Sequence, residues 1–268
     1  MTRSVRLKNI LVGEGLPKIC VPMVGVDKEE LCREAEALVA AGADMAEWRA
    51  DFFSGLFDQS AVEDILKTIA GILEQIPIIF TIRTAREGSE LQISTEDYVN
   101  INQKVSELGI ADLIDVEALT EEGKMRRLIN RIHENGGKVI ASSHNFTAAP
   151  PKKELFKLMQ KLDKAGGDIL KIAVMPKTLF DVWELLEATN DMTVEYTEKP
   201  VVTMAMGDMG GLSRFSGELF GSSITFGVVG KASAPGQIPI EELRELMGIF
   251  HKDSHAGQHA PAGTLGEK

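Results

Sequence analysis

Short apolar runs separated by amphipathic stretches repeat along most of the chain. Eight runs rich in β-branched and apolar residues recur roughly every 25–35 positions, and such runs predict buried strands. They lie at 19–24, 45–50, 78–83, 113–117, 139–143, 169–174, 201–206 and 224–229. Most segments between them carry apolar side chains at helical spacing. The chain therefore alternates predicted strands with predicted helices.

The predicted helices share start and stop signals. Asp27 with Glu30, and Ser60 with Glu63, have the spacing of a helix-capping box. At three helix exits a glycine stands where the helix would end, and an aspartate precedes the next apolar strand. These exits are 41–44, 108–112 and 165–168. The repetition predicts that one βα unit is used many times.

Strands that alternate with helices predict a parallel sheet. Eight units favour an α/β fold of the closed (β/α)8 TIM barrel type, although an open doubly wound sheet gives the same alternation. No Gly-x-Gly-x-x-Gly follows the first strand, which weakens the dinucleotide-binding version of the open sheet. We expect one barrel domain over 1–250, with an N-terminal β-hairpin at about 4–17. Residues 251–268, rich in Gly, Ala, His and Pro, are predicted to be a disordered tail.

Composition narrows the class of partner. The formal net charge of −11 argues against nucleic-acid and anionic-membrane surfaces, which need basic patches. Cys20 and Cys32 form neither a disulfide framework nor a zinc spacing. The apolar stretches are far shorter than the roughly 20 residues of a membrane helix, and the start of the chain lacks the apolar run of a secretory signal. We expect a cytoplasmic protein that acts on small molecules.

Lys171 lies inside the apolar strand predicted at 169–174. A charged amine there is costly unless it is paired or gives up its proton, and a neutral amine is a nucleophile toward carbonyl compounds. Two interpretations stay open on this evidence. Lys171 is either a catalytic lysine or a structural one that snorkels or pairs with a buried carboxylate.

Other polar side chains stand at the ends of predicted strands or in the loops that follow, where barrel enzymes keep their reactive groups. They are Glu47, Arg49, Arg83, Glu87, His144, Arg214, Ser233 and Gln237. His144 is the acid/base candidate among five histidines, because His133 lies at a predicted helix end and the other three lie in the polar tail. No residue cluster has a convincing metal-ligand spacing.

A buried lysine, a histidine and several arginines together predict Schiff-base chemistry on an anionic carbonyl compound. Imine formation turns a ketone into an electron sink, so that histidine can remove a proton from the adjacent carbon. Arginine would hold a carboxylate through paired hydrogen bonds.

Residues 5–250 resemble the type I 3-dehydroquinate dehydratases, or 3-dehydroquinases, of the shikimate pathway. The motifs that carry the resemblance are Glu-Trp-Arg-Ala-Asp at 47–51, Phe-Thr-Ile-Arg at 80–83 with Glu87, Ser-Ser-His-Asn-Phe at 142–146, Leu-Lys-Ile-Ala at 170–173, Met-Ala-Met-Gly at 204–207, Ser-Arg at 213–214 and Ser-Ala-Pro-Gly-Gln at 233–237. The resemblance implies a (β/α)8 barrel, commonly a homodimer, that uses neither a metal nor an organic cofactor in aromatic amino acid biosynthesis.

By this resemblance, Lys171 is the residue that attacks the C3 ketone of 3-dehydroquinate. His144 is the general acid/base that assists imine formation, removes the C2 proton and protonates the departing C1 hydroxyl, and Glu87 orients His144. The implied reaction is a syn elimination of water that yields 3-dehydroshikimate.

The resemblance also implies how the substrate is held. Arg214, with Ser233 and Gln237, matches the group that binds the substrate carboxylate. Glu47, Arg49 and Arg83 match the group that contacts the ring hydroxyls, and the loop at 232–237 resembles a lid.

Two alternatives remain open at this point. A class I aldolase-type barrel lyase would use the same lysine, with Arg214 and Gln237 facing a phosphate group. A non-catalytic ligand-binding barrel would keep the pocket without turnover.

Overall fold

All eight predicted strands form and lie parallel, preceded by an antiparallel hairpin. The computed structural model describes residues 3–256, and side chains as far as residue 251. The hairpin pairs β1 (Val5–Leu7) with β2 (Ile10–Val12). The barrel strands are β3 (Lys18–Met23), β4 (Met45–Arg49), β5 (Ile78–Thr81), β6 (Leu113–Glu117), β7 (Val139–Asn145), β8 (Ile169–Val174), β9 (Val201–Ala205) and β10 (Ile224–Val228).

The sheet closes on itself, which decides between the two folds that the alternation allowed. Strands β3 to β9 pair in chain order, and β10 pairs with the free side of β3. On the other side of β10, Val201 forms a parallel bridge with Ser222, and the amide of Ser223 donates to the Val201 carbonyl at 2.7 Å. A short strand, β11 (Ile238–Pro239), also pairs with β10. The predicted (β/α)8 barrel with its N-terminal hairpin is therefore confirmed.

The helices lie between the strands in the predicted order. They are α1 (Lys28–Ala40), α2 (Gln59–Leu73), α3 (Thr95–Leu108), α4 (Glu122–Glu134), α5 (Lys152–Ala165), α6 (Leu179–Asp191), α7 (Gly211–Phe215), α8 (Gly217–Phe220) and α9 (Ile240–Ala256). Within residues 3–256, none of the helices combines the length and the apolar character needed to cross a bilayer.

One of the two predicted helix caps is confirmed, and the other helix is capped by a different residue. The carboxylate of Asp27 accepts the amide of Glu30 at 2.9 Å and caps α1 as predicted. Helix α2 begins earlier than predicted, because the carboxylate of Asp58, and not Ser60, accepts the free amides of the first turn. Ser60 is one of the residues whose amide it accepts, so it lies inside the helix.

The repeated helix exits fix the register of the sheet. Gly42, Gly109 and Gly166, one at each predicted exit, adopt φ angles between 64° and 107°, a region that glycine enters without steric cost. The aspartates that follow bind the strand before them. Asp44, Asp112 and Asp168 accept the amides of Ile19, Ile78 and Val139 at 2.8, 2.9 and 2.8 Å. Each exit thus ties one strand to the start of its predecessor.

The hairpin closes the N-terminal end of the barrel. Its Leu7 and Val12 are buried against the lowest inward side chains of the strands, and Lys8 donates to the carbonyls of Glu74 and Ile76 at 2.9 and 3.0 Å. The inward residues they cover are Cys20, Met45, Ile79, Leu113, Ile140, Ile169, Val202 and Ile224. This apolar floor leaves the opposite end of the barrel for polar side chains.

The last helix overlaps the start of the predicted tail. Helix α9 extends to Ala256, and the tail was predicted to begin at residue 251. The ring of Phe250 packs on Phe215 of α7, with 5.1 Å between centroids, and His251 Nδ1 lies 2.8 Å from Glu218 of α8. These contacts extend the helix along the barrel wall. The remaining residues of the predicted tail, 257–268, lie outside the described part of the chain.

Candidate active site

Above the apolar floor, the inner face of the barrel becomes polar. Residues two apart on a strand point the same way, so each strand that contributes a floor residue contributes another inward side chain two positions later. Five neighbouring strands contribute polar ones, all buried: Glu47, Thr81, Asp115, Ser142 and Lys171. These five side chains form a polar layer inside the barrel.

Lys171 is 3% exposed and is paired. Its Nζ lies 3.3 Å from Glu47 Oε1, 3.3 Å from Asp115 Oδ2 and 4.4 Å from the centroid of the Phe226 ring. Two carboxylates and an aromatic face stabilise the ammonium form. Lys171 is ion-paired, as the structural interpretation expects, and it also lines a cavity, as the catalytic interpretation expects.

That cavity lies at the C-terminal ends of the strands, the end at which barrel enzymes bind their ligands. Eight of the nine candidate residues line it: Glu47, Arg49, Arg83, His144, Lys171, Arg214, Ser233 and Gln237. Apolar walls come from Phe146, Met204, Met206 and Phe226. Residues far apart in the sequence therefore meet around one enclosed space.

Glu87, the ninth candidate, lies behind His144. It ends a 3₁₀ turn, Ala85–Glu87, that is capped by the Thr84 side chain. Its Oε2 is 2.8 Å from His144 Nδ1 and also accepts the His144 backbone amide at 3.1 Å. With the Nδ1 hydrogen directed to Glu87, Nε2 is left with a lone pair.

The charges around this pair favour a neutral imidazole. Burial, and after it the cations Arg83 and Lys171, hold the pKa of His144 well below its ordinary value. Burial raises the pKa of Glu87, while Arg83, 3.1 Å away, opposes the rise. A neutral ring with a free Nε2 can accept a proton from a molecule in the cavity.

Arg83 pairs with three buried carboxylates at once. Its guanidinium contacts Glu87 at 3.1 Å, Asp115 at 3.0 Å and Glu117 at 3.2 Å, and Ser142 Oγ at 3.2 Å. Burial alone would lower the pKa of Arg83, but the surrounding carboxylates raise it well above its ordinary value. Arg83 thus lines the cavity with its charge already compensated.

The other two arginines differ sharply. Arg49 forms a two-pronged pair with Asp51 at 2.8 and 2.7 Å. Arg214 is 2% exposed and donates only to the carbonyls of Phe226 and Pro235, at 3.3 and 2.9 Å. Its Nε has no partner among the described residues, which also provide no carboxylate for it, and burial lowers its pKa to about 10. A buried cation without an anion is a receptor for an anionic group.

The loop that carries Ser233 and Gln237 is folded over the cavity. The Gln237 side chain accepts the Ser233 amide at 2.8 Å and donates to the Ser233 hydroxyl at 3.2 Å. The amide of Gly207 donates to Pro235 at 3.2 Å. Gly236 has a φ of 73°, and a side chain there would meet the Gly207 backbone at 2.4 Å. The loop is therefore held against the end of β9 through backbone contacts.

Two acidic residues of the site were missed by the sequence analysis. Asp115 and Glu117 are buried and lie two apart on β6. The signal was present, because both are charged residues in a strand that was predicted to be buried, as Lys171 is. Within the described residues, no group of three or more His, Cys, Asp or Glu side chains is arranged to hold a metal ion.

Comparison with known proteins gives one consistent result. Residues 19–254 match the family described as Type I 3-dehydroquinase. The 3-dehydroquinate dehydratase of Listeria monocytogenes serotype 4a (strain HCC23) is 46% identical over 249 residues, which are 93% of this chain and 98% of that protein. The corresponding enzyme of Clostridium novyi (strain NT) is 41% identical over the same shares.

Solved structures agree in fold. The type I 3-dehydroquinate dehydratase from Clostridium difficile, with covalently modified comenic acid, has a TM-score of 0.91 and 42% identity over 94% of this chain and 100% of that one. The 3-dehydroquinate dehydratase from Geobacillus kaustophilus HTA426 has a TM-score of 0.90 and 37% identity, over 94% and 98% of the two chains.

The imidazole of His144 is predicted to be neutral at pH 7, with its hydrogen on Nδ1. Long-range ¹H–¹⁵N NMR of histidine-labelled protein between pH 4 and 8 measures both properties, and His144→Gln identifies the signal. The titration midpoint is expected below the ordinary 6.5, because burial and two nearby cations disfavour a second proton. A midpoint at or above 6.5, or a hydrogen on Nε2, contradicts the prediction.

Proposed function

The chain belongs to the type I 3-dehydroquinase family and is a lyase, and on that premise we propose that it dehydrates 3-dehydroquinate to 3-dehydroshikimate through a Schiff base on Lys171. The family match over residues 19–254 and relatives with 41–46% identity support the reaction. The observation that carries the mechanism is the meeting of Lys171, His144 and Arg214 around one cavity.

Arg214 binds the substrate carboxylate. The cavity contains four cations, and three of them face carboxylates of the protein, whereas Arg214 has backbone carbonyls alone as partners in the described structure. A bound carboxylate supplies the missing charge and fixes the ring in one orientation. Ser233 and Gln237 lie beside Arg214 and complete that end of the site, while Glu47, Arg49 and Arg83 contact the ring hydroxyls.

Lys171 forms the covalent intermediate. Its ammonium first gives a proton to the neutral ring of His144, and the free amine adds to the C3 carbonyl of the substrate. His144 then returns this proton to the carbinolamine oxygen, which leaves as water, and a protonated imine remains between Nζ and C3. The positive nitrogen then withdraws electrons from C3, so that the hydrogens on C2 become acidic.

His144 carries the proton through the elimination. The neutral ring takes the C2 proton at Nε2, and the electron pair of the C–H bond moves to the imine nitrogen and forms an enamine. The enamine expels the C1 hydroxyl as His144 returns the proton, so one water molecule leaves and the C1–C2 double bond forms. Hydrolysis of the imine releases 3-dehydroshikimate and restores Lys171. Glu87 holds the ring in the required tautomer throughout.

The loop at 232–237 acts as a lid. Its contacts with Gly207 and Arg214 run mainly through backbone atoms, so opening and closing exchange a small number of hydrogen bonds. Closure excludes water from the imine during the elimination. The aldolase and non-catalytic alternatives are disfavoured by the names of the 41–46% identical relatives.

The enzyme works as a homodimer. Helix α6 exposes Leu179, Phe180 and Trp183, which are 72%, 65% and 54% accessible. Phe220 of α8 approaches Trp183, with 6.5 Å between ring centroids, so the apolar surface continues onto the neighbouring helix. Continuous apolar surface of this kind is uncommon on monomers and is typical of interfaces. The cytoplasmic location stays a prediction from the sequence.

Borohydride trapping tests the covalent step. Wild-type protein incubated with 3-dehydroquinate and borohydride is expected to gain one reduced adduct, mapped by peptide mass spectrometry to Lys171. Lys171→Ala is expected to lose both the adduct and turnover, which is followed through the ultraviolet absorbance of the conjugated product. His144→Ala is expected to form the adduct but to turn over about 10²–10⁴-fold more slowly, since proton transfer supplies about that factor. An adduct on another lysine, or rapid turnover by His144→Ala, would refute the assignment.

Replacing Arg214 tests carboxylate binding. Arg214→Gln is expected to raise KM for 3-dehydroquinate by about tenfold or more, because a charge-assisted pair contributes about 1.5–3 kcal/mol. Arg126→Gln, on the exposed face of α4, is the matched control and is expected to leave KM unchanged. Equal KM values for the two variants would show that the carboxylate is bound elsewhere.

The molecular mass of the protein in solution tests the proposed dimer. Light scattering after gel filtration is expected to give twice the chain mass of 29.2 kDa, and Phe180→Asp is expected to give the monomer mass because a charge would be buried in the interface. Phe57→Asp, at a residue that is 61% exposed elsewhere on the surface, is the control and should stay dimeric. A wild-type monomer at micromolar concentration would contradict the proposed dimer. A dimer that Phe180→Asp leaves intact would contradict the proposed interface on α6.

A further inference from the structure

Asp115 is the most enclosed charge of the site and has no part in the reaction described above. It lies in the middle of β6, with no accessible surface. One carboxylate oxygen is 3.3 Å from Lys171 Nζ. The other is 3.0 Å from Arg83 Nη2 and accepts the Ser142 hydroxyl at 2.6 Å. Both oxygens are therefore occupied by groups of the catalytic layer.

A continuous series of ion pairs connects the two reacting side chains, Lys171 and His144. Lys171 pairs with Asp115, Asp115 pairs with Arg83, Arg83 pairs with Glu87, and Glu87 binds the ring of His144. Each link is 3.3 Å or shorter. Asp115 is the member that connects the lysine to the arginine, because Glu47, the other partner of Lys171, bonds instead to Thr81.

We propose that Asp115 is a positioning residue for the Schiff-base reaction. It is the permanent counter-ion of Lys171, and it also holds the guanidinium of Arg83 in place. Through Arg83 it fixes the positions of Glu87 and His144 relative to the lysine. The inference rests on the proposed function, since it gives Asp115 a role in that same reaction.

Asp115 stays an anion while Lys171 changes its bonding. Burial by itself raises the pKa of Asp115, but Arg83 and Lys171 outweigh burial and hold the pKa below its ordinary value. Asp115 is thus a poor acceptor for the proton that Lys171 must lose. When the protonated imine forms, its nitrogen keeps one positive charge, and Asp115 balances that charge as it balanced the ammonium.

The neighbours of Lys171 define what a change at Asp115 would do. The titratable and charged groups around Lys171 are Glu47 and Asp115, which pair with it, Cys20 and His144, whose pKa values its charge influences, and Arg83, which lines the same cavity. Only Glu47 and Asp115 among these pair with the amine in the described structure. Removing the charge of Asp115 would leave the ammonium with Glu47 as its one carboxylate partner, so its charged form would lose part of its electrostatic stabilisation.

The test compares Asp115→Asn with Glu117→Gln. Glu117 is a matched control because it is also buried, lies on the same strand and pairs with Arg83 at 3.2 Å, but no contact joins it to Lys171 in the described residues. Borohydride trapping with 3-dehydroquinate, measured from pH 5 to 9, gives the pH at which adduct formation is half-maximal. Steady-state kinetics give kcat and KM for each variant.

Asp115→Asn is expected to lower the half-maximal pH of trapping by about one unit and to reduce kcat at least tenfold. Its KM should stay within about threefold of wild type, because Asp115 touches protein groups and leaves Arg214 intact. Glu117→Gln is expected to keep the wild-type half-maximal pH. If Asp115 only stabilised the fold, the half-maximal pH of trapping would not change in Asp115→Asn while staying at the wild-type value in Glu117→Gln.

Other results overturn the inference. They are an Asp115→Asn trapping profile that coincides with wild type, an equal shift in both variants, or a raised KM with unchanged kcat. If wild-type protein forms no adduct and shows no turnover, the proposed function itself has failed, which is a distinct outcome.

If Asp115→Asn does not fold, ¹³C NMR of aspartate carboxylates in the wild-type enzyme decides the question. Asp115 is expected to remain ionised below the ordinary value of 3.8, both in the free enzyme and in the borohydride-reduced adduct. Protonation of Asp115 above that pH, or on formation of the adduct, rules out a permanent counter-ion.

Discussion

The compensation of charge inside the barrel is the constraint on which the rest of this structure depends. Lys171 and Arg83 are both buried, and a buried ion without a partner costs several kcal/mol. Glu47, Asp115 and Glu117 surround them at about hydrogen-bond distance. The result is a network in which each charge needs its neighbours, so a change at one residue alters the balance at the others.

The apolar floor makes this network effective. The hairpin covers the N-terminal end with Leu7 and Val12, and the inward residues directly below the polar layer are apolar. Low polarity beneath the charges strengthens their interactions and removes competing water from that side. The polar cavity therefore opens at the C-terminal ends of the strands, where the loop that carries Ser233 and Gln237 lines it.

One buried cation of the site, Arg214, has no carboxylate partner in the described structure, and the proposed binding of the substrate carboxylate rests on this imbalance. The guanidinium of Arg214 is as buried as that of Arg83, but its partners are the carbonyls of Phe226 and Pro235. A carbonyl is a weaker partner for a guanidinium than a carboxylate. The described structure thus pairs Lys171, Arg83 and Arg49 with carboxylates and leaves Arg214 without one, although the chain has a net charge of −11.

The sequence by itself determined the alternation of strands and helices and the exceptional position of Lys171 inside an apolar run, because these follow from local periodicity. It could not distinguish Arg214 from Arg49 and Arg83, and it gave no reason to choose Asp58 over Ser60 as a cap. The tertiary structure decided closure at Val201 and Ser222, and which carboxylate meets which cation. Lys171 and Glu47 are 124 residues apart in the chain, so only the curvature of the closed sheet brings their charges together.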